Sequence, residues 1–312
     1  MISLLIALVV FGPLVGAALA LGARTVRASA RFVTVGGAVA TVAAVGLLVA
    51  SGRRSTGLAA GADWLDLAVG RPGAILLVLV AGTATVIASF SRRSLDDDGR
   101  APRYFALVGI VACGSSLVII QGGPALLAAG WVASGLALVG LIGHAEGWAP
   151  AARAQRRIGV TLAVGDGALL LAVAIAAWGS DGLLDGNAVA AVEQLAEASI
   201  AGIGVHHVVA LLAVVAGASR SAMIPFHRWL IGTLTAPTPV SALVHAGLVS
   251  GAGLLLLRLA PLFVASDVAV IVAFALAVAT VLVASSAVVM RPDVKGGLAW
   301  STVAQMAFMV IQ

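Results

Sequence analysis

Ionisable and helix-breaking residues are concentrated in one stretch of the chain, from Gly217 to Pro261, which lies between two strongly apolar segments. Ionisable side chains at membrane depth are costly and usually line a cavity or an ion path. An imidazole, with an ordinary pKa of about 6.5, suits proton transfer near neutral pH. We therefore predict that His227 and His245 are exchangeable proton sites and that Arg220 is a fixed positive charge that tunes them.

Three prolines lie within this stretch, namely Pro225, Pro237 and Pro239. Each proline removes an amide donor and leaves a carbonyl one turn earlier without its helical partner. At membrane depth such carbonyls are satisfied by waters, side chains or ions, and many transporters hold ions between broken helices. Ser241 and His245 are four residues apart, which would place them on one helix face. The pattern predicts proline-broken helices with Ser241 beside His245 on an ion path.

The elements that position these residues are predicted from composition. Of 312 residues 61% are hydrophobic and 10% are charged, and the mean hydropathy is +1.13. Soluble domains are about half apolar and a quarter charged, so this composition excludes a soluble globular protein and a disordered chain. A membrane-crossing helix needs about 20 apolar residues. Nine segments meet this length and a tenth is incomplete: residues 1–22, 32–50, 73–91, 104–121, 124–143, 158–178, 204–219, 237–260, 263–290 and 295–312. We predict an all-α, polytopic membrane helix bundle.

The cations are distributed unevenly between the predicted connections. If the N-terminus lies outside, only Arg53, Arg54, Arg71 and Arg258 of the 18 Lys and Arg residues fall in outside segments. Cytoplasmic connections of membrane proteins carry an excess of Lys and Arg. We therefore predict a multi-pass protein surrounded by membrane lipid, with its N-terminus outside.

The sequence lacks the motifs of soluble enzymes. No G-x-G-x-x-G and no G-x-x-x-x-G-K motif is found. The nearest approach to a metal pair is His206-His207, but adjacent side chains on a helix point about 100° apart and no third ligand is close in sequence. The cations lie in short runs between apolar segments instead of forming the basic face of a nucleic-acid binder. We expect no metal site, no cofactor and no nucleic-acid partner.

Two motifs resemble a known membrane family. The segments Arg220-Ser-Ala-Met-Ile-Pro-Phe-His227 and Ala236-Pro-Thr-Pro-Val-Ser-Ala-Leu-Val-His245 resemble the K-S-A-x-x-P-x-H-x-W…G-P-T-P-V-S-A-L-x-H-A pattern. That pattern is found in antiporter-like membrane subunits of respiratory complex I and of Mrp-type cation/proton antiporters. The run from Asp293 to Gln305 is similar to the D-x-K-x-x-L-A-Y-S-T-x-S-Q motif of the same family. The resemblance covers nearly the whole chain and implies that Lys295 is a further relay or coupling site.

The sequence departs from the family pattern at two charged positions. The family pairs a glutamate, after a tryptophan on its fifth helix, with a lysine on its seventh. Here Val132 follows Trp131, and the seventh-helix position is Arg220. An arginine stays protonated in proteins and cannot act as a titrating relay. The resemblance is closer to one branch, the DabB subunits of two-part inorganic carbon transporters, and it implies a soluble, zinc-bearing DabA-like partner in a bacterial inner membrane system.

These observations favour a proton- or cation-translocating membrane subunit that energises uptake of CO2 or bicarbonate and has no redox or hydrolytic site of its own. One alternative is an ion-pumping subunit of an NADH:quinone oxidoreductase or Mrp-type antiporter, where the partners would be other complex subunits. Another is a non-conducting membrane scaffold for a soluble enzyme.

The domain organisation is predicted as one transmembrane domain, with N-terminal helices over residues 1–203 and ion-path helices over 204–312. The last apolar run, Leu298–Gln312, would form a helix of about 22 Å, which is shorter than the hydrocarbon core of a membrane. We expect the chain to be a fragment of a longer protein; completion of the fold by a second polypeptide is the alternative.

Overall fold

The computed structural model describes residues 2–52, 58–62, 65–96, 98–145, 147–179, 195–196, 198–200, 203–233, 236–245 and 249–312. Most of these residues are helical. The helices are α1 (Ile2–Leu21), α2 (Val26–Gly52), α3 (Arg71–Ser94), α4 (Ala101–Ile119), α5 (Pro124–Ile142), α6 (Ala149–Gly179), α7 (Val205–Arg220), α8 (Arg228–Gly232), α9 (Thr238–Leu243), α10 (Gly251–Arg258), α11 (Ala260–Val264), α12 (Asp267–Val289) and α13 (Val294–Ile311). The predicted all-α membrane bundle is confirmed.

Two short antiparallel hairpins accompany the helices. Strand β1 (Leu58–Ala62) pairs with β2 (Leu65–Val69), and β3 (Ser199–Ile200) pairs with β4 (Ile203–Gly204). In the first hairpin Leu58 lies opposite Val69, and both side chains are fully buried. The hairpins therefore lie in the connections between helices. The core of the fold is helical.

Among the described residues, eight helices are long and apolar enough to cross a membrane, namely α1 to α6, α12 and α13. The sequence predicted nine full spans and one incomplete span, and two regions account for the difference. The predicted span 204–219 is the 16-residue helix α7, which is apolar but shorter. The predicted span 237–260 contains two short helices, α9 and α10. Helix α13, predicted as incomplete, has 18 residues.

The chain divides into two compact units. The first unit contains Met1–Ala152 and Ala236–Gly247, and the second contains Arg153–Thr235 and Leu248–Gln312. The predicted division at residues 203 and 204 remains a prediction.

In the first unit, α4 is the most buried of the long helices, and glycines allow its neighbours to approach closely. A Cβ atom added to Gly114 on α4 would lie 2.7 Å from the Gly130 carbonyl oxygen on α5, and one added to Gly130 would lie 2.6 Å from that of Gly114. Helices in lipid associate largely by such close packing, because lipid is as apolar as their side chains. The outward faces of α1, α2 and α3 carry exposed large apolar residues such as Phe11, Val42 and Phe90.

A polar cluster connects two interhelical segments of the first unit. The Nε2 atom of His144, after α5, lies 2.8 Å from Oδ2 of Asp98, before α4. The Arg100 amide donates to Oδ1 of the same carboxylate at 2.8 Å. Tyr104 packs edge-on against the His144 ring, with ring centroids 5.2 Å apart, and its hydroxyl is 3.0 Å from Oγ of Ser91. The cluster holds the α3–α4 and α5–α6 connections together.

The second unit contains most of α6 together with α7, α8, α10, α11, α12 and α13. Its apolar core includes Val209 and Ala213 on α7, Phe263 on α11 and Ala273 on α12. Helix α12 begins with a side-chain cap, because Oγ of Ser266 accepts a hydrogen bond from the Ala269 amide. The C-terminal end of α7 is followed by an interruption of the helical path, and the candidate site lies around this interruption.

Candidate functional site

The chain interrupts its helical path immediately after Arg220. Helix α7 ends at Arg220, and α8 begins at Arg228. Between them, Ala222 adopts a φ of +53°, and the Ile224–Pro225 peptide bond is cis. A φ in this left-handed region is uncommon for residues other than glycine. The sequence predicted broken helices here, and Pro225 lies inside the interruption.

Two hydrogen-bonded contacts anchor the interrupted segment to other helices of the second unit. The Ser221 hydroxyl donates to the Val249 carbonyl at 2.6 Å and accepts from the Ala252 amide, at the beginning of α10, at 2.8 Å. The Ile224 amide donates to Oγ1 of Thr280, on α12, at 3.1 Å. The Ile224 amide, which lies in the interruption, therefore has a side-chain partner on α12, and the Ser221 hydroxyl pairs with main-chain groups near the start of α10.

Arg220 forms a buried ion pair with Asp166 of α6. Its Nη2 atom donates to Oδ1 of Asp166 at 3.1 Å, and only 2% and 12% of the two side chains are exposed. Asp166 lies near the middle of α6. Removing one member of a buried ion pair leaves an uncompensated charge, which is strongly destabilising. Because both side chains are buried, the pair holds one positive and one negative group away from solvent at the end of α7.

A close contact between α6 and α7 lies beside the ion pair. The Ser219 hydroxyl donates to the Thr161 carbonyl of α6 at 2.7 Å. The indole Nε1 of Trp229, on α8, donates to the Ser219 carbonyl at 2.9 Å. Trp229 is buried, and indole N–H groups usually have a partner when buried. Trp229 thus provides a donor to a carbonyl at the helix break.

Two further predicted residues lie in the second unit. His227 immediately precedes α8, and its ring packs against that of Trp300 on α13, with centroids 5.2 Å apart. The Nδ1 atom of His227 is buried and has no hydrogen-bond partner among the described residues. Lys295 is exposed in the first turn of α13. Arg220, His227, Pro225 and Lys295 therefore belong to one unit.

The remaining predicted residues lie in the first unit. Pro237 immediately precedes α9, and Pro239 is in its first turn, where a proline costs no helical hydrogen bond. Ser241 is half-buried on α9, and His245 follows two residues after the end of that helix. The buried Nδ1 atom of His245 has no hydrogen-bond partner within the part of the chain that the structure describes.

Asp166 is not among the site residues predicted from the sequence. The family resemblance directed attention to α5, where Val132 occupies the position expected for an acid. A simpler observation would have made Asp166 a candidate site residue, because it is the only acidic residue inside the predicted span 158–178. A lone acidic residue in an apolar span is by default a functional-site hypothesis.

The adjacent histidines at the start of α7 pack on each other, with ring centroids 3.9 Å apart. His207 Nδ1 lies 2.8 Å from Oγ of Ser266, so a hydroxyl occupies one of its hydrogen-bonding positions. Among the described residues, no group of three or more His, Cys, Asp or Glu side chains is arranged to hold a metal ion.

A helical membrane bundle with an acidic residue inside one span, paired with an arginine at the end of a shorter helix, defines a polytopic membrane protein with buried charged groups. A family model described as NADH:quinone oxidoreductase/Mrp antiporter, transmembrane, matches residues 125–312. The chain therefore belongs to this family of antiporter-like membrane subunits, as the sequence motifs predicted. It is a multi-span membrane protein of a family found in bacterial membranes.

Several curated relatives are similar over most of the chain. It is 32% identical over 254 residues to a probable inorganic carbon transporter subunit DabB1 of Halothiobacillus neapolitanus, covering 81% of this chain and 45% of the relative. It is 34% identical over 239 residues to a Bacillus anthracis DabB, covering 76% and 46%. It is 28% identical over 236 residues to NADH-quinone oxidoreductase subunit L of Mycobacterium tuberculosis, covering 75% and 36%. The chain spans less than half the length of these relatives.

Solved structures share the fold. A chain of the archaeal membrane-bound sulfane sulfur reductase complex matches with a TM-score of 0.85 at 18% identity, over 99% of this chain and 64% of that one. A chain of the Mrp complex from Dietzia sp. DQ12-45-1b matches with a TM-score of 0.75 at 21% identity, over 99% and 33%. Both similarities establish the membrane-subunit fold.

Proposed function

We propose that this chain is the ion-path portion of a proton-translocating membrane subunit, in which the buried Asp166–Arg220 pair is the central charged element. The observation that carries the proposal is the position of this pair at the interruption between α7 and α8. An arginine stays protonated in proteins. Asp166 is therefore the member of the pair that can bind and release a proton, while Arg220 supplies a fixed charge beside it.

The two histidines and Lys295 are the further groups to which we assign roles in proton transfer. His227 and His245 each carry a buried Nδ1 atom without a hydrogen-bond partner among the described residues. A neutral imidazole has one donor and one acceptor nitrogen, so each ring can take up a proton at one nitrogen and release it from the other. We assign both histidines as proton-exchange groups. Ser241 would assist His245, and Lys295 would be a coupling site further along the path.

The substrate and partner are proposed from the relatives. Four relatives at 32–34% identity over most of this chain are named as probable inorganic carbon transporter subunits of the DabB type. The proposed role is to energise uptake of CO2 or bicarbonate together with a soluble, zinc-bearing DabA-like protein. The proposed location is a bacterial inner membrane, and the uneven distribution of Lys and Arg supports an orientation with the N-terminus outside.

A second candidate is an ion-pumping subunit of a respiratory or Mrp-type complex. Relatives named as chain 5 of NADH-ubiquinone and NAD(P)H-quinone oxidoreductases, at 27–28% identity, favour it. The valine at position 132, in place of the glutamate that the family resemblance implies, argues against it. Gain of quinone-linked proton pumping on combining Val132→Glu with Arg220→Lys would support this second candidate.

Uptake of labelled inorganic carbon tests the first proposal. The intact polypeptide and the product of its neighbouring gene would be expressed in a host that lacks its own carbonic anhydrase, with and without a protonophore. We expect uptake that requires both proteins and is abolished by the protonophore. Asp166→Asn and His245→Ala should abolish uptake without loss of membrane insertion, whereas Asp96→Asn, at an exposed position, should leave it unchanged.

The outcomes separate the candidates. No uptake by a correctly inserted and partnered protein would reject carbon transport and direct testing to proton and sodium flux. Uptake that survives neutralisation of Arg220, His245 and Lys295 would instead identify a non-conducting scaffold for the soluble partner.

A further inference from the structure

We propose that Gly165 and Ser219 are positioning residues that set the separation of Asp166 and Arg220. This inference rests on the proposed role of the ion pair in proton translocation. Each positioning residue is the chain neighbour of one member of the pair, with Gly165 on α6 and Ser219 on α7. Their contact is therefore the point at which the two helices determine how far apart the charges lie.

The contact between Gly165 and Ser219 leaves no room for a side chain at position 165. A Cβ atom added to Gly165 would lie 2.6 Å from Cβ and 2.7 Å from Oγ of Ser219. Carbon atoms in contact are normally about 3.5–4.0 Å apart. An alanine at position 165 would thus require α6 and α7 to separate locally by about 1 Å.

Hydrogen bonds on both sides hold Ser219 in place. Its hydroxyl donates to the Thr161 carbonyl on α6 at 2.7 Å, and its own carbonyl accepts from Nε1 of Trp229 at 2.9 Å. Ser219 and Trp229 are each 1% exposed. Rotation of the serine side chain would not move its Cβ atom, so a larger residue at position 165 would have to move the helix backbone.

Such a movement would act directly on the ion pair. The Arg220 and Asp166 atoms are 3.1 Å apart, near the upper end of the usual range of about 2.7–3.2 Å for an N–H···O hydrogen bond. A further separation of about 1 Å would break this hydrogen bond. Misplacement of a reacting group by about 1 Å can cost on the order of 100-fold in rate.

The sequence provides a matched control on the opposite side of Asp166. Gly167 lies two residues from Gly165 on the same helix, and a Cβ atom added there would meet nothing within 4 Å. Gly165→Ala and Gly167→Ala make the same chemical change and raise helix propensity equally. Only the first would change the distance between α6 and α7.

The test compares Gly165→Ala, Gly167→Ala and the double variant Gly165→Ala with Ser219→Gly in the intact protein. Proton flux in vesicles would be measured as a function of pH. The carboxylate stretching band of Asp166, assigned by difference from Asp166→Asn, would be recorded by infrared spectroscopy. We expect Gly165→Ala to reduce flux by about 10- to 100-fold, shift the pH profile and move the band. Gly167→Ala should match the parent, and Ser219→Gly should restore both readouts in the double variant.

The infrared band separates this inference from the proposed function. If the parent carries no proton flux but the band moves in Gly165→Ala and returns in the double variant, the positioning role stands and the proposed function fails. If Gly165→Ala does not fold, Ser219→Thr keeps the hydroxyl and adds a methyl group to the Cβ atom that faces Gly165, so it should also separate the helices and move the band. An unchanged band in the folded variants, or a lowered stability with an unchanged pH profile, would overturn the inference.

Discussion

Truncation of Asp166 tests whether the ion pair is desolvated. In Asp166→Ala, Arg220 would retain its charge with only 2% of its side chain exposed. Two unit charges 3.1 Å apart interact by about 5 kcal/mol at an effective dielectric constant of about 20. Removal of one partner from a buried pair costs about 3–5 kcal/mol in measured systems. We therefore expect Asp166→Ala to lower the free energy of unfolding by about 3–5 kcal/mol.

The double variant Asp166→Ala with Arg220→Met gives the stronger test. Each single variant leaves one buried charge without its partner, whereas the double variant leaves none. Replacement of a whole buried pair by apolar residues is often neutral or stabilising. The double variant should therefore be more stable than either single variant, with a coupling free energy of at least about 2 kcal/mol between the positions. Asp166→Ala and the double variant should both lose proton flux, because the double variant restores stability without restoring the exchangeable carboxylate.

The measurement is a denaturant titration of the purified protein in detergent micelles, followed by tryptophan fluorescence. Asp96→Ala and Arg27→Met remove the same charges from exposed positions and should change stability by about 0.5 kcal/mol or less. Single variants that cost under about 1 kcal/mol and add without coupling would show that the pair is solvated, and would refute the reasoning from burial.

Two further predictions concern polar contacts on the two units. Ser221→Ala removes a hydroxyl that makes two buried hydrogen bonds to the main chain, so the free energy of unfolding should fall by about 1–3 kcal/mol, measured by the same titration. Burial raises the pKa of Asp98. Hydrogen bonds from the Arg100 amide and the His144 ring, together with the charges of both residues, lower the pKa by more than burial raises it, so it lies below the ordinary 3.8. The stabilisation by Asp98 is then present above pH 3.8 and is lost as the pH falls through the lowered pKa. The stability difference between the parent and Asp98→Asn should therefore shrink below that pH in an acid titration, and a constant difference would contradict the assignment.

The helices were predicted from the length of apolar segments. The structure differs from the prediction in a segment that contains prolines and polar residues. Spans such as 124–143 and 263–290 agree with α5 and α12 to within a few residues at each end. Prediction was poorer over 237–260, where α9 ends at Leu243 and α10 starts at Gly251. Hydropathy measures transfer of side chains from water, and it does not report where an α-helix ends.

The site was predicted in part. Motif resemblance selected Arg220 and His227, which the structure places on either side of the break after α7. It directed the search for a carboxylate to α5, whereas the partner is Asp166, 54 residues before Arg220 in the chain. Residues 54 positions apart are not related by the periodicity of a single helix, so no local pattern in the sequence pairs them.

The sequence by itself determined the membrane class, the helical fold and the family, because these depend on composition, apolar length and contiguous motifs. Only the tertiary structure decided which acid neutralises Arg220 and which small residues bring α6 and α7 together. The Asp166–Arg220 pair and the Gly165–Ser219 contact arise from the packing of two helices that are distant in sequence. Close packing in lipid depends on shape complementarity between helix surfaces, which no residue specifies alone.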